Sequence, residues 1–112
     1  MSTRSKGNRN QLKCIRKLEA DGYLVSKTEQ SFKYSTETDA FGLFDLIAID
    51  PNNLILIQVT TNVPHTHKKF IDFSKKYCIP NICYEQWVWY DRKGWKVFMY
   101  KNGNKDYEDM RK

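Results

Sequence analysis

The sequence predicts an α/β fold, a mixed central sheet with helices packed against it, and three observations carry that reading. Two runs, Leu43–Ile49 and Leu54–Thr60, are apolar at nearly every position, which marks strands covered on both faces. The second run is followed by a stretch with helical periodicity and then by the aromatic, alternating stretch Ile82–Tyr90, the order of a right-handed strand–helix–strand crossover. That stretch turns through Asp91-Arg92-Lys93-Gly94 into Trp95–Tyr100, a hairpin. A parallel crossover next to antiparallel hairpins makes the sheet mixed and leaves helices to cover it.

In chain order, Met1–Gly7 reads as a flexible basic arm. Asn8 or Asn10 is a suitable cap for a first helix, in which Leu12, Ile15 and Leu18 recur at helical spacing while Lys13, Arg16, Lys17 and Glu19 face water. Asp21-Gly22 ends it, the glycine supplying a left-handed residue. Tyr23–Lys27 is a short strand. Ser31–Tyr34 adds a second strand candidate, and Ser35–Asp39 a loop. The turn Asp50-Pro51-Asn52-Asn53 joins the two apolar runs, with proline pre-set for the second turn position. Thr66 or His65 opens the next helix, whose stripe of Phe70, Ile71, Phe73 and Tyr77 lies opposite Lys68, Lys69, Lys75 and Lys76 and which Pro80 stops. Trp87 and Trp89 share one face of the strand that follows, and Tyr84, Val88 and Tyr90 the other. These aromatics serve either as core and interface or as stacking surfaces for unpaired bases. Residues 102–112 are a charged tail, a short helix or a frayed end.

The central hairpin has a register that can be counted. Pairing Ile49 with Leu54 across the turn sets Ile47 opposite Leu56, Asp45 opposite Gln58 and Leu43 opposite Thr60, all on one face. Asp45 and Gln58 then have Cβ atoms about 5 Å apart. A carboxylate in so apolar a run is costly to bury unless it is paired or binds a metal. Either Gln58 and a nearby Lys or Arg satisfy it, or it is a ligand.

Composition narrows the function. The 112 residues suit one domain spanning 1–112, and no stretch approaches the ~20 apolar residues of a membrane span. Cys14, Cys78 and Cys83 are odd in number and lack metal-site spacing, so buried thiols in a reducing cytoplasm are expected. Nineteen Lys and Arg against 13 Asp and Glu leave a net charge of +6. Lys6, Arg9, Lys13, Arg16 and Lys17 crowd the first 17 positions. That patch suits a polyanion such as nucleic acid, or is a solvated basic surface.

Lys6-Gly7 before the first helix, Phe44-Asp45-Leu46-Ile47-Ala48, Leu56-Ile57-Gln58-Val59-Thr60 and the Trp-rich hairpin Trp87–Trp95, in the element order αβββαβ, together resemble the PD-(D/E)xK nuclease superfamily. Within it the chain is most similar to the small archaeal Holliday-junction resolvases and related phage and viral nucleases. The resemblance implies a restriction-endonuclease-like core, Mg²⁺ or Mn²⁺, DNA as partner, a homodimer, and a cytoplasmic setting in a microbial cell or an infected host. It places the metal-binding carboxylate on Asp45. The second ligand falls on Gln58, a neutral amide, with the Val59 carbonyl as a third. The family's lysine falls on Thr60 and the helix-one glutamate on or near Gln11, both uncharged. Asp39 is a further carboxylate for the metal, and Lys68, Lys69 or Lys33 a replacement cation. Lys69 joins Lys6, Arg9, Lys13 and Arg16 as a contact to DNA. His65 and His67 either shuttle a proton or are loop residues without a role. Two functions follow: a metal-dependent nuclease, or a nuclease fold that binds nucleic acid or a protein without cutting.

Overall fold

The computed structural model describes residues 3–28, 43–64 and 66–110, with backbone alone for 3–8, 109 and 110. Among the described residues eight elements follow one another: α1 (Thr3–Ala20), β1 (Leu24–Lys27), β2 (Leu46–Ile49), β3 (Leu54–Thr61), α2 (His67–Lys76), β4 (Ile82–Tyr90), β5 (Gly94–Lys101) and β6 (Asn104–Met110). The strands lie in the sheet in chain order, β1-β2-β3-β4-β5-β6. Only β3 and β4 are parallel, joined by the α2 crossover, and the other neighbours are antiparallel. The expected mixed α/β arrangement is therefore the observed one.

α1 starts at Thr3, so residues 3–7 are helical and not an arm. Asn8 and Asn10 do not begin it, because the Asn10 amide is spent elsewhere: its Nδ2 donates to the Thr61 hydroxyl on β3. The helix is also rotated from the expected face. Asn10, Cys14 and Leu18, four residues apart, are buried, whereas Leu12 is exposed. The helix ends as expected. Gly22 takes φ +97, its N–H reaches Glu19 O, and Tyr23 N–H reaches Leu18 O, the paired bonds of a Schellman cap.

The two faces of the sheet carry separate cores. Under α1 lie Cys14, Leu18, Leu46, Ala48, Ile57, Trp87, Trp95 and Val97. Under α2 lie Phe44, Leu56, Phe70, Tyr84, Val88, Phe98 and Tyr100. The aromatic strand β4 feeds both, its tryptophans to the α1 side and Tyr84 and Val88 to the α2 side, so its rings are core. The turn between β2 and β3 closes with Asp50 N–H to Asn53 O, while Asp50 Oδ1 accepts the N–H groups of Asn52 and Asn53.

Two further expectations are corrected. Residues 104–110 of the charged tail form β6, paired with β5 through a tight turn whose Gly103 takes φ +80 and whose N–H donates to Ser74 Oγ. That charged strand is stable because one edge of β5 needs a partner, not because of its own apolarity. Cys78 is exposed, while Cys14 is buried; all three thiols are free. Ser31–Tyr34, Ser35–Asp39, Lys33 and His65 lie outside the described residues. Among the described residues, no helix is long and apolar enough to cross a membrane.

Candidate functional site

The hairpin register holds at its turn end, with Ile49 opposite Leu54 and Ile47 opposite Leu56. It breaks at Asp45. Regular pairing starts only at Leu46, and Asp45 N–H reaches Ile57 O at 2.7 Å, one residue out of step with the ladder. The extra residue switches faces: Leu46 and Ala48 point under α1, but Phe44 joins the α2 core. This is a β-bulge, a device that re-aims a side chain. What it re-aims is the carboxylate. Asp45 Oδ2 accepts the Val59 N–H at 2.9 Å, so the acid lies in line with the β3 backbone beside Gln58 and Val59. It is held from its other side as well, since Thr28 N–H reaches Asp45 O and Thr28 Oγ1 donates to Phe44 O.

Gln58 and Thr60 point to the α2 side of β3, along with Leu56, and both are buried. The Thr60 hydroxyl is fully enclosed and has no hydrogen-bond partner among the described residues. An unsatisfied buried hydroxyl costs about 1–3 kcal/mol. Gln86, the register partner of Gln58 on β4, is completely buried. Its Nε2 donates to Tyr100 Oη at 2.9 Å, and Tyr100 Oη lies 2.6 Å from His67 Nδ1. Gln86 thus donates to the same phenol oxygen that shares a hydrogen bond with the His67 imidazole. Burial, then Lys105, lowers the His67 pKa, and burial pushes Tyr100 up to about 12 against the opposing Gln86 bond.

That chain sets a pH dependence. His67 is kept neutral in the folded state and regains its ordinary pKa of 6.5 on unfolding. Stability is therefore untouched above pH 6.5 and lost as the pH falls below it, where the unfolded chain takes up the proton. The expected result is a melting temperature that drops between pH 7 and pH 5, with His67→Asn flattening part of the drop. Parallel pH profiles of wild type and variant remove His67 from the account.

The remaining candidates divide by position. Gln11 is half-buried, and the helix-one side chain that reaches the sheet is its neighbour Asn10, which sequence reading passes over because asparagine is read as a cap. Arg9 and Arg16 are exposed on α1. Lys13 sits with Nζ 4.0 Å from the Trp89 ring centroid. The side chain of Lys6, and Asp39 altogether, fall outside the described side chains. On α2, Lys69 is exposed one turn before Phe73, which packs on Phe44 at 5.4 Å. Lys68 shares a flank with Asp72 and Lys75, the last of which packs on Gly103 of the β5–β6 turn. Among the described residues, no three His, Cys, Asp or Glu side chains gather as a metal cluster.

On the α1 side a second carboxylate is half-buried. Glu85 takes the Trp87 indole N–H at 2.9 Å, and burial raises its pKa despite that bond. Burial and the charges of Glu85 and Asp45 together raise the Cys14 thiol well above its ordinary value, which makes it a packing group and not a nucleophile.

No family model matches the chain, and no curated protein matches it. Among solved structures it is similar to Hjc of Archaeoglobus fulgidus, a Holliday junction resolvase from an archaeal hyperthermophile, with a TM-score of 0.57 and 13% identity over 93% of this chain and 84% of that one. The chain shares the fold of that structure. At that identity the likeness is one of backbone, and it extends over nearly the whole chain. In this resolvase-like frame the bulged Asp45 and the paired residues of β3 are the distinctive chemical features.

Proposed function

We propose that the protein is a divalent-metal-dependent nuclease of the PD-(D/E)xK type, hydrolysing phosphodiester bonds in branched or structured DNA as a homodimer. The observation that carries this reading is the bulge that turns Asp45 onto the β3 backbone beside Gln58, with the enclosed Thr60 hydroxyl two positions further along. Asp45 and the Gln58 amide oxygen would be the side-chain ligands of the metal, with the Val59 carbonyl as a third. One carboxylate with neutral oxygens is within what Mg²⁺ accepts when water and substrate phosphate complete its shell. A bound Mg²⁺ or Mn²⁺ supplies the Lewis acid that neutralises the scissile phosphate and acidifies a water. The Val59 N–H keeps the Asp45 carboxylate aimed. Thr60, at the position of the family's lysine, brings no positive charge, and its hydroxyl is enclosed on the α2 side of β3. Lys69, exposed on α2, is the cation that compensates. Arg9 and Arg16, with Lys6 and Lys13, extend the basic surface to the flanking backbone.

The test is cleavage of branched, single-stranded and linear DNA in Mg²⁺ or Mn²⁺ against an EDTA control. Metal-dependent cleavage that favours branched substrate supports the reading. Tight binding with no cleavage in either metal replaces it with a non-cutting, nucleic-acid-binding function, which the neutral Gln11, Gln58 and Thr60 favour. Binding itself weakens steeply with salt in both cases, because Lys and Arg displace condensed counterions. An affinity unchanged between low and high salt would remove the basic surface from the account.

A further inference from the structure

Away from Asp45, α2 and the last hairpin form a second basic surface with aromatic groups in it. On β5 and β6 the register pairs Phe98 with Tyr107 and Tyr100 with Lys105, which puts their side chains on the α2 side of the sheet. Lys96 Nζ stands 4.3 Å from the Tyr107 ring centroid, and Lys105 Nζ 5.8 Å from that of Phe98. The Phe98 and Tyr107 rings are 6.2 Å apart. Phe98 is buried, but Tyr107 is 59% exposed, a large ring on a strand that nothing covers among the described residues. The facing flank of α2 adds Lys68 and Lys75. One acid among the described side chains tempers the charge, Asp72, which lies between those lysines. Four cations against it leave the trough positive.

We infer that this trough between α2 and β6 binds unpaired nucleotides, with a base stacked on Tyr107 and the Lys96 and Lys105 ammonium groups on the adjoining phosphates. An acidic peptide would satisfy the lysines, but it has no use for an exposed aromatic face. A single strand uses both, since every base has a π-face and every linkage a phosphate. The cation–π contact of Lys96 keeps its ammonium beside the ring until a phosphate draws it off. A duplex does not fit this arrangement, because its bases are already stacked. The surface is separate from Asp45, so the inference stands or falls without the cleavage reading.

Fluorescence anisotropy tests it with the full chain and a labelled 12-mer of thymidine, beside an abasic 12-mer of equal charge. The thymidine strand is expected to bind wild type about tenfold tighter than the abasic one, the size of one stacked base. Tyr107→Ala removes that difference, Tyr107→Phe keeps it, and Lys96→Gln weakens both strands alike. Equal affinity of wild type for the two strands overturns the inference without any variant. So does a Tyr107→Ala protein, folded by its thermal melt, that binds the thymidine strand as wild type does. Cleavage without strand discrimination would keep the nuclease reading and discard this one, and discrimination without cleavage the reverse.

Discussion

Asp45→Asn is expected to lower the cleavage rate about a thousandfold while leaving the fold intact. Loss of metal-based charge stabilisation removes several kcal/mol of transition-state stabilisation, and each 1.36 kcal/mol is about tenfold in rate. Asparagine keeps a side-chain oxygen for the Val59 N–H, so the bulge retains its anchor. Asp45→Ala does not. It leaves that buried N–H without this acceptor, at about 1–3 kcal/mol, and lowers stability as well as rate. Comparing the two variants by single-turnover cleavage and urea unfolding separates chemistry from scaffold. Wild-type cleavage by a folded Asp45→Asn protein removes the carboxylate from the mechanism.

Phe44→Ala is expected to cost about 3–5 kcal/mol, the range for deleting a fully enclosed phenylalanine. Phe44 has no exposed surface, and its ring meets Phe70 at 5.9 Å, Phe73 at 5.4 Å and Tyr84 at 5.7 Å. It is also the residue that changes faces at the bulge. Its packing under α2 holds the backbone that aims Asp45. The loss should therefore appear twice, in the urea midpoint and, where the protein remains folded, in cleavage. A change under about 1 kcal/mol would mean that the α2 core does not depend on this ring.

These two residues mark the boundary between what could be read in the chain and what could not. The hairpin was legible because its information is local: apolar runs, a proline turn and a period of two give Ile49 opposite Leu54 and Ile47 opposite Leu56. The same count, carried on, puts Asp45 in register and on the face of Leu43 and Ile47. No local signal announces the bulge; it arises because Phe44 has more surface to bury under α2 than a regular strand allows. The rotation of α1 is similar. Leu12 is as apolar as Leu18, yet the helix turns Asn10 inward because the Thr61 hydroxyl waits there. The strand Asn104–Met110, charged at four of seven positions, is a strand only through the edge of β5.

The sequence alone determined the α/β class, the crossover and the aromatic strand shared between two cores, since each follows from hydrophobic period and turn chemistry within a few residues. It also determined the neutral Gln58 and Thr60, which no packing can change. The tertiary structure decided where the charged groups point: Asp45 toward the Val59 backbone, Lys13 toward the Trp89 ring, and Lys75 toward the β5–β6 turn. Those directions depend on how helix flanks and strand faces meet across the sheet, a long-range property that local spacing does not encode.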